Sequence, residues 1–271
     1  MRLCFLNNPN LQYIYNPVVI CFDGTLNHFN MAIKYVILCG VLALLFSIPV
    51  ISQTGVKLKK RDRKKDIEFV TTEGTIILRL SDSTPLHRDN FLRLVKSGFY
   101  DSLLFHRVIQ YFMIQGGDPS SRRAVAGQLL GDSSPPYTIP AEFRVSLFHK
   151  RGVLAAARES DNVNPEKASS SSQFYIVQGK KYTDTGLDSV EIKRLKRKIP
   201  EYQREIYKTL GGSPFLDQNY TIFGEVVSGM GTVDRIAAGA TSKGEDQDRP
   251  LKDVRILSER LIKRRNYPVD P

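Results

Sequence analysis

The residues best placed to do chemistry lie in one stretch, Phe105-His-Arg-Val-Ile-Gln-Tyr-Phe-Met-Ile-Gln-Gly-Gly-Asp-Pro119. Arg107 and Ile109 alternate, so on an extended strand they face the same side. Met113 and Gln115 do the same on the next strand. An arginine, a methionine and a glutamine set among apolar residues make a poor core but suit a ligand groove. Taken alone, a strand arginine is usually solvent-facing, and Phe112 and Met113 are more often core than pocket. Other chemistries find no constellation. His28, His87, His106 and His149 are scattered, and Cys4, Cys21 and Cys39 all precede residue 41. Neither a disulfide framework nor a Cys-based zinc site can therefore exist beyond them. No nucleophile elbow surrounds a serine. Gly229-Met-Gly231 lacks the third glycine of a dinucleotide loop. No metal or cofactor is expected, and His106 reads as a structural hydrogen-bonder.

Those strands need a scaffold. Ile67–Val70 and Thr75–Leu80 flank Glu73-Gly74, which predicts a hairpin of β-branched runs around a glycine turn. Thr84-Pro85 predicts a helix start, with Thr84 as N-cap and Pro85 in the first helical position. Phe91, Leu94 and Val95 share one face of that helix, and Gly98 ends it. Short strands are expected at 103–109, 112–115, 152–157, 173–177, 221–227 and 254–258, with a short helix after Gly231. Many short strands and no strand–helix alternation predict a mainly β barrel or sandwich. Asp188–Leu210 fits poorly: it holds seven basic and four acidic residues, Pro200 in the middle and Gly211-Gly212 after it. It reads as two short helices broken at the proline, within an insertion spanning 181–213.

The chain has 271 residues and a net charge of +11, with 41% hydrophobic and 25% charged residues. These values exclude a polytopic membrane protein, a collagen and a wholly disordered chain. Residues 57–66 and 249–265 each hold seven basic and two acidic residues. Both runs flank the apparent domain and no aromatics interleave the first, so solvated or lipid-facing charge is expected and no nucleic-acid partner is. Tyr35–Ile51 carries no charge; Met31-Ala-Ile-Lys34 precedes it and Ser52-Gln53 follows. That is the pattern of a signal peptide, with Val50 and Ser52 at the small-residue positions before a cut. Met31 would be the natural initiator, which makes 1–30 an extension ahead of it. The run is also about long enough to span a membrane, and basic residues after it outnumber those before it, which bears on orientation. Residues 31–52 thus read as a signal peptide or anchor and 53–65 as a basic linker, with membrane contact through 35–65. An exported domain at 66–260, periplasmic or anchored facing the periplasm, is expected, then a tail at 261–271. The alternative is an anchor with the domain in the cytoplasm.

At the 105–119 stretch the sequence resembles the cyclophilins, which are peptidyl-prolyl cis-trans isomerases. Three further blocks match in family order: Gly152-Val-Leu-Ala-Ala-Ala-Arg158, Ser172-Gln-Phe-Tyr-Ile176, and Pro214-Phe-Leu-Asp217 with Thr221-Ile-Phe-Gly-Glu-Val226. The Ala-Arg of the second block and the helical insertion resemble bacterial members. The resemblance implies an eight-stranded antiparallel closed β-barrel capped by two helices. It implies Arg107 as the catalytic arginine, with Phe112, Met113 and Gln115 lining the groove and Ala157 at a backbone-contacting position. Gln173 and Tyr175 would point into the groove and Phe174 into the core. Leu216 would lie in the proline pocket. Tyr175 stands where Phe is usual, Phe215 where vertebrate members carry Trp, Tyr220 where many have His, and Arg158 where the best-known members have Asn. The first three changes keep an aromatic ring, which favours retained activity. Phe215 lacks an indole N–H, which implies weak cyclosporin binding.

The implied reaction needs few groups. Amide rotation meets a barrier of about 18–20 kcal/mol because nitrogen shares its lone pair with the carbonyl. A cationic donor at the prolyl nitrogen captures that lone pair as rotation localises it, helping the twisted state more than either planar one. A guanidinium stays charged and presents fixed donors, so Arg107 suits the role. A monomer acting on proline-containing polypeptides, without cofactor, is expected, assisting their folding. A peptide-binding chaperone module with little turnover is the alternative, and retention of Arg107 and Gln115 favours the enzyme. The insertion is expected to be either a solvated decoration or a positive rim that steers acidic clients.

Overall fold

The computed structural model describes residues 55–246 and 248–268. The expected extension, signal or anchor and the first two linker residues lie outside them. Among the described residues no helix is long and apolar enough to cross a membrane. In chain order the elements are β1 (Lys65–Thr71), β2 (Gly74–Leu80), α1 (Pro85–Lys96), β3 (Phe105–Ile109), β4 (Met113–Gly116), β5 (Thr138–Ile139), β6 (Val153–Ala156), β7 (Ser169–Ser170) and β8 (Phe174–Val177). Then follow α2 (Asp184–Val190), one π turn (Glu191–Leu195), α3 (Glu201–Thr209), β9 (Ile222–Ser228), α4 (Met230–Ala237) and β10 (Ile256–Lys263).

Eight strands form one antiparallel sheet in the order β10-β1-β2-β9-β6-β8-β4-β3. The sheet curls until its two edges meet. Phe105 N donates to Val254 O at 2.9 Å, and Ile256 N to Leu103 O at 2.8 Å. The mainly β architecture matches the expectation, although this edge-to-edge pairing covers only the start of β3 and β10. The outer strands also differ from the expected limits. β1 begins at Lys65, within the expected linker, and β10 runs to Lys263, within the expected tail, because those two residues pair with each other. The two basic runs therefore meet at their ends, Lys65 and Asp66 against Lys263 and Ile262. Asp66, buried there, takes Arg79 at 2.8 Å and Arg264 at 3.3 Å.

Inside the curl, Phe69, Tyr100, Phe105, Phe174 and Phe223 meet Phe91 from α1 and Val233 and Ile236 from α4. The rings pack tilted or edge-on, as with Tyr100 and Phe174 at 5.4 Å, a geometry that adds about 0.5–1.5 kcal/mol per pair beyond burial. Helix α1 starts at Pro85 as expected, but Thr84 does not cap it: its buried hydroxyl has no hydrogen-bond partner among the described residues. The cap comes from Glu142, far along the chain. Its carboxylate accepts from Leu86 N and His87 N at 3.2 and 3.0 Å and from His87 Nδ1 at 2.7 Å. A carboxylate there satisfies orphan N–H groups and meets the positive helix end.

The insertion folds as α2, the π turn and α3, with Pro200 immediately ahead of α3. It has its own small core of Phe148, Leu187, Ile199 and Tyr207. Gly212 closes it, bridging to Lys150 and Lys180. Its φ is +156°, and a Cβ there would collide with the His149 carbonyl, so only glycine fits.

Candidate active site

Strand register assembles the site. Arg107 on β3 pairs with Gln115 on β4, Gln115 with Tyr175 on β8, and Tyr175 with Ala155 on β6. With side chains alternating, these form one row across the outer face, and Ile109, Met113 and Val177 form the next. The inward neighbours Val108, Ile114, Phe174 and Ile176 join the core. One irregularity matters. Strict alternation would send Phe105 and Arg107 to the same face. A bulge between them, at His106, lets Phe105 turn in and Arg107 turn out.

Arg107, Phe112, Met113, Gln115, Ala157, Tyr175, Leu216 and Tyr220 line a cavity of about 180 Å³, together with Arg158. Two residues expected in it lie beside those that line it. Gln173 is buried; it accepts from Gln115 Nε2 at 3.2 Å and donates to the carbonyls of Gly131 and Ser133. It thereby orients the Gln115 amide. Phe215, on the turn Pro214–Leu216, packs its ring 5.5 Å from Phe112 and supports the wall.

Arg158 was not among the expected site residues, although it ends a quoted block. Its Nε donates to Asn219 O at 2.7 Å, and its guanidinium lies 4.6 Å from the centre of the Tyr220 ring. Asp161, at 2.6 Å, pairs its charge. Arg107, by contrast, is half-buried with no carboxylate partner among the described residues.

Beneath the groove runs a buried polar chain. The Tyr175 hydroxyl meets His149 Nε2 at 3.0 Å, and His149 Nδ1 meets Asp217 Oδ1 at 2.9 Å. Asp217 Oδ2 accepts from the Tyr207 hydroxyl at 2.7 Å, so the chain ends on helix α3 of the insertion. Burial pushes both tyrosine hydroxyls well above their ordinary range, so they stay neutral donors. The insertion is thus tied into the groove's foundation and is not a solvated decoration.

His106 corrects a further expectation. It is buried, and among the described residues neither ring nitrogen finds a hydrogen-bond partner, so it is not a structural hydrogen-bonder there. Burial pushes its imidazole down to about 4, against which the nearby Asp118 is too weak, so the ring is neutral at pH 7.

Residues 66–260 match the family model described as cyclophilin type peptidyl-prolyl cis-trans isomerase/CLD. A protein of Staphylococcus haemolyticus, provisionally named a peptidyl-prolyl cis-trans isomerase, is 33% identical over 199 residues, covering 73% of this chain and 91% of the relative. A protein of Staphylococcus aureus with the same provisional name is 34% identical over 205 residues, covering 74% and 95%. The fold is similar to the crystal structure of a cyclophilin type peptidyl-prolyl cis-trans isomerase of Cryptosporidium parvum, with a TM-score of 0.52 at 22% identity, covering 74% of this chain and 99% of that one. That protein was also solved in the presence of the dipeptide Ala-Pro, where the TM-score is 0.51. With the family match reaching from β1 into β10 and including the insertion, the chain belongs to the cyclophilin type peptidyl-prolyl cis-trans isomerases.

Proposed function

We propose that the groove takes an extended X-Pro segment, seats the proline ring among Phe112, Met113, Tyr175 and Leu216, and sets Arg107 against the prolyl nitrogen. The observation that carries this reading is Arg107 itself, a half-buried guanidinium on the cavity wall with no carboxylate among the described residues to neutralise it. Its donors are then available to a lone pair that is free only in the twisted state. Gln115, oriented by Gln173, is placed to hydrogen-bond the substrate backbone. The Ala-Pro dipeptide used with the Cryptosporidium relative supports an X-Pro ligand class.

The test uses the full chain and NMR exchange of an X-Pro tetrapeptide. Arg107→Ala should lower kcat/KM by about a hundredfold, the scale seen when one preorganised donor is removed, with circular dichroism unchanged. Arg107→Lys should rescue poorly, since an ammonium cannot reproduce the fork. Full activity in Arg107→Ala would overturn the mechanism. Tight peptide binding without turnover in the wild type would favour a chaperone role instead. We also propose export, supported by the uncharged run Tyr35–Ile51 and its small-residue end. A mature N-terminus at Gln53 is expected, and a mature chain that retains the run would overturn the cleaved signal.

A further inference from the structure

The insertion's charges are unevenly spent. Arg204 holds Asp184, Asp188 and Glu191; Lys198 holds Glu191; Lys208 holds Asp184 and Glu205, all at 2.6–3.2 Å. Besides Lys181 at its start, Lys193, Arg194, Lys196 and Arg197 are left exposed with no carboxylate partner among the described residues, against Glu201 as the one carboxylate of the insertion outside that network. Two of these four cations reach the groove wall. The Arg194 guanidinium carbon stands 5.8 Å from the centre of the Phe215 ring. Phe215 in turn lies 5.5 Å from Phe112, which lines the cavity. Arg197 Nη2 donates to the carbonyl of Asp217, next to Leu216, at 3.5 Å.

The segment carrying them is pinned at both ends. Buried Glu191 accepts from Ile199 N and Arg204 at 2.9 Å each, which ties the start of the π turn to the start of α3. Lys196, at a left-handed φ of +56°, ends the π turn. A π turn shifts the phase of the side chains after it, and such turns recur at functional positions. The result is a positive group held over an aromatic wall that is continuous with the proline pocket.

We propose that Arg194, with Arg197 beside it, forms a specificity-determining subsite for an acidic side chain of the client near its proline. This rests on the groove being the X-Pro site. The two ring distances place the Arg194 guanidinium no more than about 11 Å from Phe112, which about three extended residues can span. The acidic residue therefore falls within about three positions of the proline. An exposed ion pair contributes modestly and is screened by salt, so a preference of about two- to fivefold at low ionic strength is expected.

The experiment uses the full chain and X-Pro peptides in which Glu, or its isostere Gln, is placed at each position flanking the proline in turn. The wild type should show a higher kcat/KM for Glu than for Gln at one or two positions on one side, carried by KM and fading as salt is raised. Arg194→Gln with Arg197→Gln should bring that ratio to near one, and Arg194→Lys should restore part of it. A thermal midpoint equal to wild type guards against a folding artefact. Equal values for Glu and Gln at every position, or a preference that survives the double substitution, would overturn the proposal. If no peptide is turned over, the isomerase mechanism fails separately. Chemical-shift titration with the same peptide pairs would then still decide the subsite, in favour if Glu binds tighter and against if the two bind alike.

Discussion

A single side chain, Tyr175, joins the groove to what lies beneath it. Its ring is pocket wall, while its hydroxyl pairs with buried His149. Tyr175→Phe keeps the wall and orphans His149 Nε2, so it should lower stability by about 1–3 kcal/mol while leaving most turnover intact. A urea melt and a tetrapeptide assay separate the two effects; a loss confined to turnover would mean the hydroxyl itself acts on substrate. At position 215, an indole N–H would restore a donor that the family resemblance associates with cyclosporin. Phe215→Trp should therefore tighten cyclosporin inhibition, and an unchanged inhibition constant would point to another difference, with Arg194 over that ring the foremost. Strand alternation put Arg107 with Ile109 and Met113 with Gln115 on shared faces, and the family resemblance assigned those faces to a groove. His149 and Asp217 were not legible: they are 68 residues apart, and nothing in either neighbourhood marks the pair. Arg158 was in plain view within a matched block, and only its burial beside Tyr220 shows that it belongs to the wall.

At the level of elements, the insertion decides how the groove is held. Pro200 and the double glycine announced two short helices, and two helices form. What the sequence could not show is that α3 sends Tyr207 into the core to bond Asp217, one residue after Leu216 of the pocket. Charge counting had left a solvated decoration open, because it cannot see which side chains turn inward. Replacing Asp188–Leu210 by a short Gly-Ser loop should therefore reduce turnover of a small tetrapeptide as well as catalysed refolding of a proline-limited protein. Tyr207→Phe isolates the bond: Asp217 loses one donor but keeps His149, so a milder loss in both stability and turnover is expected. Loss on the refolding substrate alone, with the tetrapeptide spared, would instead make the insertion a client-docking element. The α1 cap teaches the same lesson, since local sequence pointed to Thr84 and the tertiary structure supplies Glu142.

The molecule as a whole was legible in its class, because short β-branched strands with glycine turns leave few architectures. Its closure was legible only through the family resemblance, since the pairing of Phe105 with Val254 and of Leu103 with Ile256 spans most of the domain and leaves no local trace. At that closure sit two buried titratable groups whose effects on stability run in opposite directions. Glu259 on β10 is pushed up to about 9, by burial first and by neighbouring Asp101, while its carboxyl Oε1 accepts from Tyr100 N at 2.7 Å. The folded protein then holds a proton that the unfolded chain releases near 4.5, so stability falls as pH rises from about 4.5 to 9. His106 is pushed down to about 4 from 6.5, so the unfolded chain binds the extra proton and stability falls as pH drops across that window. Between 4.5 and 6.5 the two trends oppose each other; from 6.5 to 9 that of Glu259 acts without opposition from His106. Burial pushes His87 down as well, so its trend adds to that of His106 below 6.5. The urea midpoint should therefore not rise as pH falls on the acid side, and it should decline on the alkaline side. Glu259→Gln should flatten the alkaline decline, and it should leave the variant more stable than wild type at pH 9. His106→Phe should remove part of the acid-side opposition, leaving the variant less sensitive than wild type to a fall in pH from 6.5 towards 4.5, with His87 still opposing Glu259. An alkaline decline that persists undiminished in Glu259→Gln would show that some other group governs it and that the Glu259 carboxyl is already ionised in the folded protein.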